Sequence, residues 1–247
     1  MGDVIALFAA GSATALATGV GAIPVFFLGE RAETWRPVLW GLAIGLTGVA
    51  SVVGLLAPAL NEGSLAVVGG GLAAGVAFLL LTRRGLRSPG LHLGALRGAD
   101  VRTSILVFGV LFVHSLPEGM AIGSAWASNT AGLSLYIVLA IGLQNVPEGT
   151  SVAIPMAASG FSRKQQFWGA VLTSAPQPVG ALIAYGFVEQ VQAVLPVSFA
   201  FAAGAMLALV AVELVPAAFT RATWPLALAG TVAGGFVMGA LAVVLGV

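Results

Sequence analysis

Eight long apolar runs dominate this sequence, and they constrain its fold more than any other feature. The runs lie at approximately 4–28, 37–60, 64–82, 103–127, 131–157, 164–187, 193–219 and 224–246. A helix needs about 20 apolar residues to cross the hydrocarbon core of a bilayer. Only 8% of the residues are charged, whereas a soluble globular chain has roughly 25%. We therefore predict an all-α, multi-pass protein of the plasma or inner membrane, with eight transmembrane helices in one domain, 1–247.

The basic residues fall in alternate connections between these runs. They are Arg31, Arg36, Arg83, Arg84, Arg87, Arg97, Arg102, Arg163, Lys164 and Arg221. Because positive charge is enriched in cytoplasmic loops, these connections are predicted to be cytoplasmic, and both termini are then outside. The longest connection, 83–102, is rich in Arg, Gly and Pro. It is predicted to be a flexible cytoplasmic loop in which His92 is solvated.

Two short motifs place polar side chains inside the apolar runs: "HSLPEG" begins at His114 and "QNVPEG" at Gln144. Residues four apart lie on one face of a helix, so His114 lies beside Glu118 and Gln144 beside Glu148. Two antiparallel helices joined by a short outer loop would bring these four side chains to similar depth. Ionisable residues within the membrane usually face a cavity or a partner and mark a pathway.

A proline precedes each of these glutamates and is expected to kink its helix. Pro117 and Pro147 have no N–H group, so each frees a carbonyl one turn earlier in its helix. Freed carbonyls at membrane depth are tolerated where they line a cavity. The two kinks are therefore expected to widen the space between the helices beside the carboxylates.

The four side chains combine one imidazole, two carboxylates and one amide. Such a mixed nitrogen and oxygen site suits zinc, and also iron, manganese or cadmium. The chain has no cysteine, so no thiolate favours a soft metal. The alternative is that His114 and Gln144 only form hydrogen bonds between helices, with both glutamates protonated.

At these motifs the sequence resembles the ZIP (Zrt/Irt-like) family of divalent metal transporters. The Gln-led second motif is most similar to the bacterial GufA-like branch, and "FAAGAMLALVAVELVP" around Glu213 resembles the seventh helix of the family. The resemblance implies a bundle in which spans 1–3 and 6–8 form inverted repeats around spans 4 and 5, a 3+2+3 arrangement. It implies that one group of helices rocks against another, carrying Zn²⁺, or Cd²⁺, Fe²⁺ or Mn²⁺, into the cytoplasm. The transport site would comprise His114, Glu118, Gln144 and Glu148.

The sequence departs from the family at the positions that hold a second metal in some relatives. The first is Ser115, where many relatives have Asn. The second is Asn145, where many have Asp or Asn, and the third is Gln177, where many have Glu. Because none of the three side chains here is negatively charged, we expect one firmly held metal with at most a weak neighbour. On span 2, Thr47 stands where some relatives have methionine.

Several alternatives stay open at this stage. Glu213 is either an exit-path ligand or proton acceptor, or a lone carboxyl group that packs near the cytoplasmic end of its span. An intramembrane metal-dependent hydrolase is disfavoured because the sequence lacks H-E-x-x-H, and a metal-gated channel is a further alternative. Small residues spaced by four suit either internal packing or a homodimer. The expected partners are divalent metal ions and the lipid bilayer, with no cofactor and no nucleic acid.

Overall fold

The structure, a computed structural model, describes residues 2–87, 114–128 and 130–247, and almost all of these are helical. In chain order the helices are α1 Gly2–Leu28, α2 Ala32–Glu62, α3 Leu65–Arg87, α4 114–127, α5 Leu133–Ala158, α6 Arg163–Gln190, α7 Gln192–Ala218 and α8 Trp224–Leu245. Two of them contain a π-helical segment, which is Ala50–Leu56 in α2 and Val210–Leu214 in α7.

Seven of these helices, all except α4, are long and apolar enough to cross a membrane. The described residues of α4 are fewer than the roughly 20 that a span needs, and the rest of that predicted run, 103–113, lies outside the described residues. The prediction of an all-α membrane protein is confirmed for the described part of the chain. The count of eight spans, the inverted repeats, the outside termini and the single domain stay predictions.

The predicted cytoplasmic loop begins later than expected. Helix α3 continues to Arg87, so the prediction that Arg83 lies in a loop is wrong. Arginine is a good helix former, and positive charge is favourable in the last turn of a helix because of the helix dipole. The remainder of the predicted loop, 88–102, with His92, lies outside the described residues.

Glycine residues bring the backbones of four helix pairs into contact. A Cβ atom added at Gly149 of α5 would overlap the carbonyl oxygen of Thr18 in α1, and one at Gly119 of α4 would overlap that of Gln177 in α6. The pairs α2–α8 and α3–α7 meet in the same way at Gly41 and Gly75. Close backbone approach at small residues is the usual packing device for helices in lipid.

The small-residue spacing on α2 and α8 serves packing within the chain. Gly41 and Gly45 on α2 lie against the backbone of α8, and Gly230 and Gly234 on α8 lie against the backbone of α2. This contact explains two of the small-residue patterns, Gly41/Gly45 and Gly230/Gly234, which suited internal packing and a homodimer equally well. The homodimer stays a prediction.

Helix α6 contains a break that positions two polar side chains. Its first part, Arg163–Thr173, follows the N-cap residue Ser162, and its second part resumes at Pro176. Proline is well suited to the first turn of a helix because its missing N–H group is not needed there. At the break, the Ser174 hydroxyl lies 2.7 Å from the Thr18 hydroxyl of α1. Gln177 follows in the new first turn, where its side chain reaches α4.

The close contact between α1 and α5 generates a stability prediction. The substitution Gly149→Ala places a methyl group against the Thr18 carbonyl, and such overpacking lowers the free energy of unfolding by about 1–3 kcal/mol. The measurement is the free energy of unfolding in detergent. Gly142→Ala, also on α5, is the matched control because, among the described residues outside its own helix, the nearest atom to its Cβ would be a Thr14 methyl carbon at 4.0 Å. Equal stability of the two variants would contradict the packing described here.

Candidate metal centre

Three of the four predicted ligands form a buried cluster between α4 and α5. The Nε2 atom of His114 lies 3.5 Å from Oε1 of Glu118 and 3.5 Å from Oε1 of Glu148. The ligand atoms of the three residues all lie within 4.8 Å of one another, and none of the side chains is more than 4% exposed. The spacing of four residues on each helix therefore produces the convergence expected from the sequence.

The distances in this cluster suit a metal ion. Two ligand atoms bound about 2.1 Å from one tetrahedral zinc ion lie about 3.4 Å from each other, which is close to both of the measured separations. His114 Nε2 and Glu148 Oε1 are buried and form no hydrogen bond with any residue that the structure describes. Buried polar atoms almost always have a partner, and a cation between these two atoms would provide one. His114, Glu118 and Glu148 are therefore able to hold a divalent ion.

The fourth predicted ligand, Gln144, contacts the cluster through its nitrogen. Its Nε2 atom donates a short hydrogen bond to Glu118 Oε1. Its Oε1 atom faces the other way and accepts a hydrogen bond of 3.1 Å from the hydroxyl of Thr47 on α2. Both Gln144 and Thr47 are buried. The structure thus brings Thr47 into contact with the site, but through Gln144.

A second set of polar side chains surrounds Glu118 on its other side. Gln177 Nε2 donates to Glu118 Oε2 at 2.7 Å. Gln177 Oε1 in turn accepts from Asn145 Nδ2 at 3.1 Å and from the Thr14 hydroxyl at 2.8 Å. Asn145 Nδ2 also lies 2.6 Å from the Thr14 carbonyl oxygen. This network links α1, α4, α5 and α6, and it contributes no formal charge to the site.

The remaining predicted residues on α4 and α5 lie where the sequence placed them. Ser115 is buried next to His114 in the chain. Pro117 and Pro147 lie inside helices and do not end them. On the same helix as Pro147, the Thr150 hydroxyl donates to the carbonyl oxygens of Val146 and, on α1, Gly21.

Glu213 lies apart from this cluster, in the π-helical segment of α7. Its carboxylate forms a short ion pair with Arg83 at the end of α3, and each side chain is 25% exposed. Of the two alternatives for Glu213, the lone carboxyl group is therefore wrong. Arg83 reaches Glu213 because α3 continues beyond its apolar run, which places Arg83 next to α7.

Sequence reasoning missed the contribution of α1 to the network. Thr14 and Thr18 are the buried polar residues of this helix, and they meet Gln177 and Ser174 on α6. A signal was present, because two threonines four residues apart share one face of an otherwise apolar helix. Nothing in the sequence indicates which helix that face meets.

These features define a multi-pass helical membrane protein with a buried His–Glu–Glu cluster that is a candidate metal site. The family model described as ZIP Zinc transporter matches residues 92–242, and the chain belongs to this family. Zinc transporter GufA of Myxococcus xanthus is 31% identical over 213 residues, which are 81% of this chain and 83% of that protein. The predicted family and its bacterial branch are thereby confirmed.

Two further relatives extend the comparison. Zinc transporter ZIPB of Bordetella bronchiseptica is 31% identical over 236 residues, covering 91% of this chain and 76% of that protein. A protein of Arabidopsis thaliana proposed to be a zinc transporter is 34% identical over 223 residues. That match covers 90% of this chain but 35% of the Arabidopsis protein, so the chain spans about a third of that relative.

The ion pair between Arg83 and Glu213 generates a second stability prediction. Arg83→Met removes the guanidinium group of this pair from the partly buried Glu213 carboxylate, which lowers the free energy of unfolding. Removing one partner of a fully buried pair costs roughly 3–5 kcal/mol, and we expect a smaller loss because both side chains are a quarter exposed. Chemical denaturation in detergent measures it.

The double variant Arg83→Met/Glu213→Gln is the control for this prediction. It also removes the carboxylate charge that Arg83 balanced, so it should recover part of the loss in the free energy of unfolding. A double variant that is less stable than Arg83→Met would show that the pair is not the source of the effect.

Proposed function

We propose that this protein carries a divalent metal cation across the membrane into the cytoplasm. Zn²⁺ is the first candidate for this cargo, and Cd²⁺, Fe²⁺ and Mn²⁺ are the alternatives. The observation that carries the proposal is the buried cluster of His114, Glu118 and Glu148, with ligand atoms spaced as around one metal ion. Membership of the ZIP family supports transport as the activity. The inward direction rests on the resemblance of the two Pro-Glu-Gly motifs to those of this family.

The charge of the cluster explains why a divalent ion is the cargo. Two carboxylates in an apolar bundle repel each other and are costly to ionise. A divalent cation balances both charges, and the imidazole nitrogen of His114 adds a ligand that zinc, iron and manganese all accept. A monovalent ion would leave one negative charge uncompensated among buried side chains. In this proposal Gln144 supplies the fourth ligand through its amide oxygen.

We also propose that the site binds a single metal ion. A second ion beside the first would need Oε2 of Glu118, but Gln177 already donates a hydrogen bond to that atom. Asn145 and Gln177 are hydrogen-bonded to each other and to Thr14. Neither they nor Ser115 bring the negative charge that a second divalent ion requires.

Glu213 is proposed to lie on the exit path toward the cytoplasm. Because its carboxylate is paired with Arg83, a metal ion that reached it would have to replace the guanidinium group. Such an exchange would favour a transient contact over firm binding.

The transport proposal is tested by metal flux into proteoliposomes. Native protein should give saturable Zn²⁺ and Cd²⁺ flux, whereas Glu118→Gln and Glu148→Gln should fall to the protein-free background because each removes a ligand charge. Glu189→Gln, an exposed glutamate on α6, is the matched control and should keep native flux.

Other outcomes of the flux experiment separate the alternatives. Flux that does not saturate would favour a metal-gated channel. Metal binding with no native flux would contradict transport and favour a sensor or a metal-dependent hydrolase.

The single-ion proposal is tested by counting bound metal. Equilibrium dialysis against Zn²⁺, followed by elemental analysis, should give about one tightly bound ion per chain, and Glu148→Gln should lose it. Two equally tight ions per chain in the native protein would contradict the proposal. Glu189→Gln again serves as the control for general effects of the substitution.

A further inference from the structure

The side-chain amide of Gln144 lies between the candidate metal cluster and helix α2, and its two ends have different partners. The nitrogen end faces Glu118 on α4. The oxygen end faces Thr47 on α2 at 3.1 Å. Gln144 is fully buried and Thr47 is 1% exposed, so each group depends on the other for its hydrogen bond.

This orientation follows from the chemistry of Glu118. An ionised carboxylate only accepts hydrogen bonds, so the amide must present its donor nitrogen to it. Gln177 donates to the other oxygen of the same carboxylate. The two amides thus stabilise the Glu118 carboxylate when no metal is bound.

The same orientation prevents Gln144 from acting as a metal ligand. An amide nitrogen has no lone pair to offer a cation, and the amide oxygen, which does, faces Thr47. To ligate a metal beside Glu118, the amide must turn by half a turn about its last side-chain bond. That bond has a broad and roughly two-fold torsional preference, so both orientations are compatible with the same position of the side chain.

Thr47 is suited to both orientations because a hydroxyl group both donates and accepts. With the oxygen of Gln144 toward it, Thr47 donates, as the structure shows. With the nitrogen toward it, Thr47 accepts and directs its own proton to a carbonyl of the preceding turn of α2, as helical threonines commonly do. A valine would satisfy neither orientation.

We propose that Gln144 and Thr47 form an amide switch, in which Gln144 donates to Glu118 in the empty site and turns its oxygen to the metal in the loaded site, with Thr47 as the positioning residue for both states. The inference rests on the proposed function. Metal loading then exchanges the amide donor on Glu118 for the cation, so this carboxylate has a partner in both states. It also reverses the direction of the hydrogen bond between Gln144 and Thr47 on α2.

The first test compares Zn²⁺ affinity in detergent by calorimetry for native protein, Thr47→Val and Thr47→Ser. In Thr47→Val the loaded site leaves the Gln144 nitrogen without an acceptor, and the empty site leaves the Gln144 oxygen without a donor. A buried N–H group without a partner is the costlier of the two. We therefore expect weaker Zn²⁺ binding, near the lower end of the about 10- to 100-fold loss that is typical when a group that orients a metal ligand is removed. Thr47→Ser keeps the hydroxyl and should restore native affinity. The control is Thr231→Val on α8, whose hydroxyl donates to the Ala227 carbonyl of its own helix.

The second test detects the rotation itself, which a merely structural role of Thr47 would not produce. Infrared difference spectra between Zn²⁺-loaded and metal-free native protein, with ¹³C in the glutamine side-chain carbonyls, should show a shifted amide band. Gln144→Met identifies that band by removing it. In Thr47→Val the metal-free position of the band should already differ, because its hydrogen-bond donor is gone.

The outcomes distinguish this inference from the proposed function. Native protein that binds Zn²⁺ without any shift of the Gln144 band, or Thr47→Val that binds Zn²⁺ as tightly as native protein, would overturn the amide switch and leave the transport proposal standing. Native protein that binds no Zn²⁺ would overturn both.

Discussion

The Glu118 carboxylate is the constraint on which the rest of the site depends. A carboxylate within an apolar helix bundle needs hydrogen-bond donors that neither lipid nor apolar side chains supply. Gln144 and Gln177 provide them, and their own oxygens are then satisfied by Thr47 and, for Gln177, by Thr14 and Asn145. Satisfying one acid therefore fixes the relative positions of five helices, α1, α2, α4, α5 and α6.

This arrangement requires close helices, and the glycine after each glutamate provides the space. Consecutive residues on an α-helix are about 100° apart, so a carboxylate can face the cluster while the next residue faces a neighbouring helix. Gly119 meets α6 at Gln177, and Gly149 meets α1 at Thr18. The short Pro-Glu-Gly sequence thus places a carboxyl group of the cluster next to a glycine, at which a neighbouring helix packs closely.

The sequence allowed the prediction of contacts within a helix and between adjacent antiparallel helices. His114, Glu118 and Glu148 converge because a four-residue spacing and a short connection leave few alternatives. Contacts between helices that are distant in sequence were not predictable, as Thr14 with Gln177 shows. In lipid the outer and inner faces of a helix are both apolar, so hydrophobic periodicity does not reveal how a helix is rotated. The charge pattern also led to the wrong prediction that Arg83 lies in a loop. Its pairing with Glu213 is a contact between residues distant in sequence, which only the tertiary structure shows.

The π-helical segment of α2 bears on how related chains of different length are compared. Ala50–Leu56 lies between two regular α-helical parts, Ala32–Val49 and Ala57–Glu62. A π turn accommodates one more residue than an α turn, so it absorbs an insertion without rotating the flanking parts. A homologue shorter by one residue at this point would keep the equivalent of Thr47 facing the fifth helix. A single alignment gap within 50–56 is therefore structurally neutral, whereas a gap placed before Thr47 would misassign the residue that contacts Gln144.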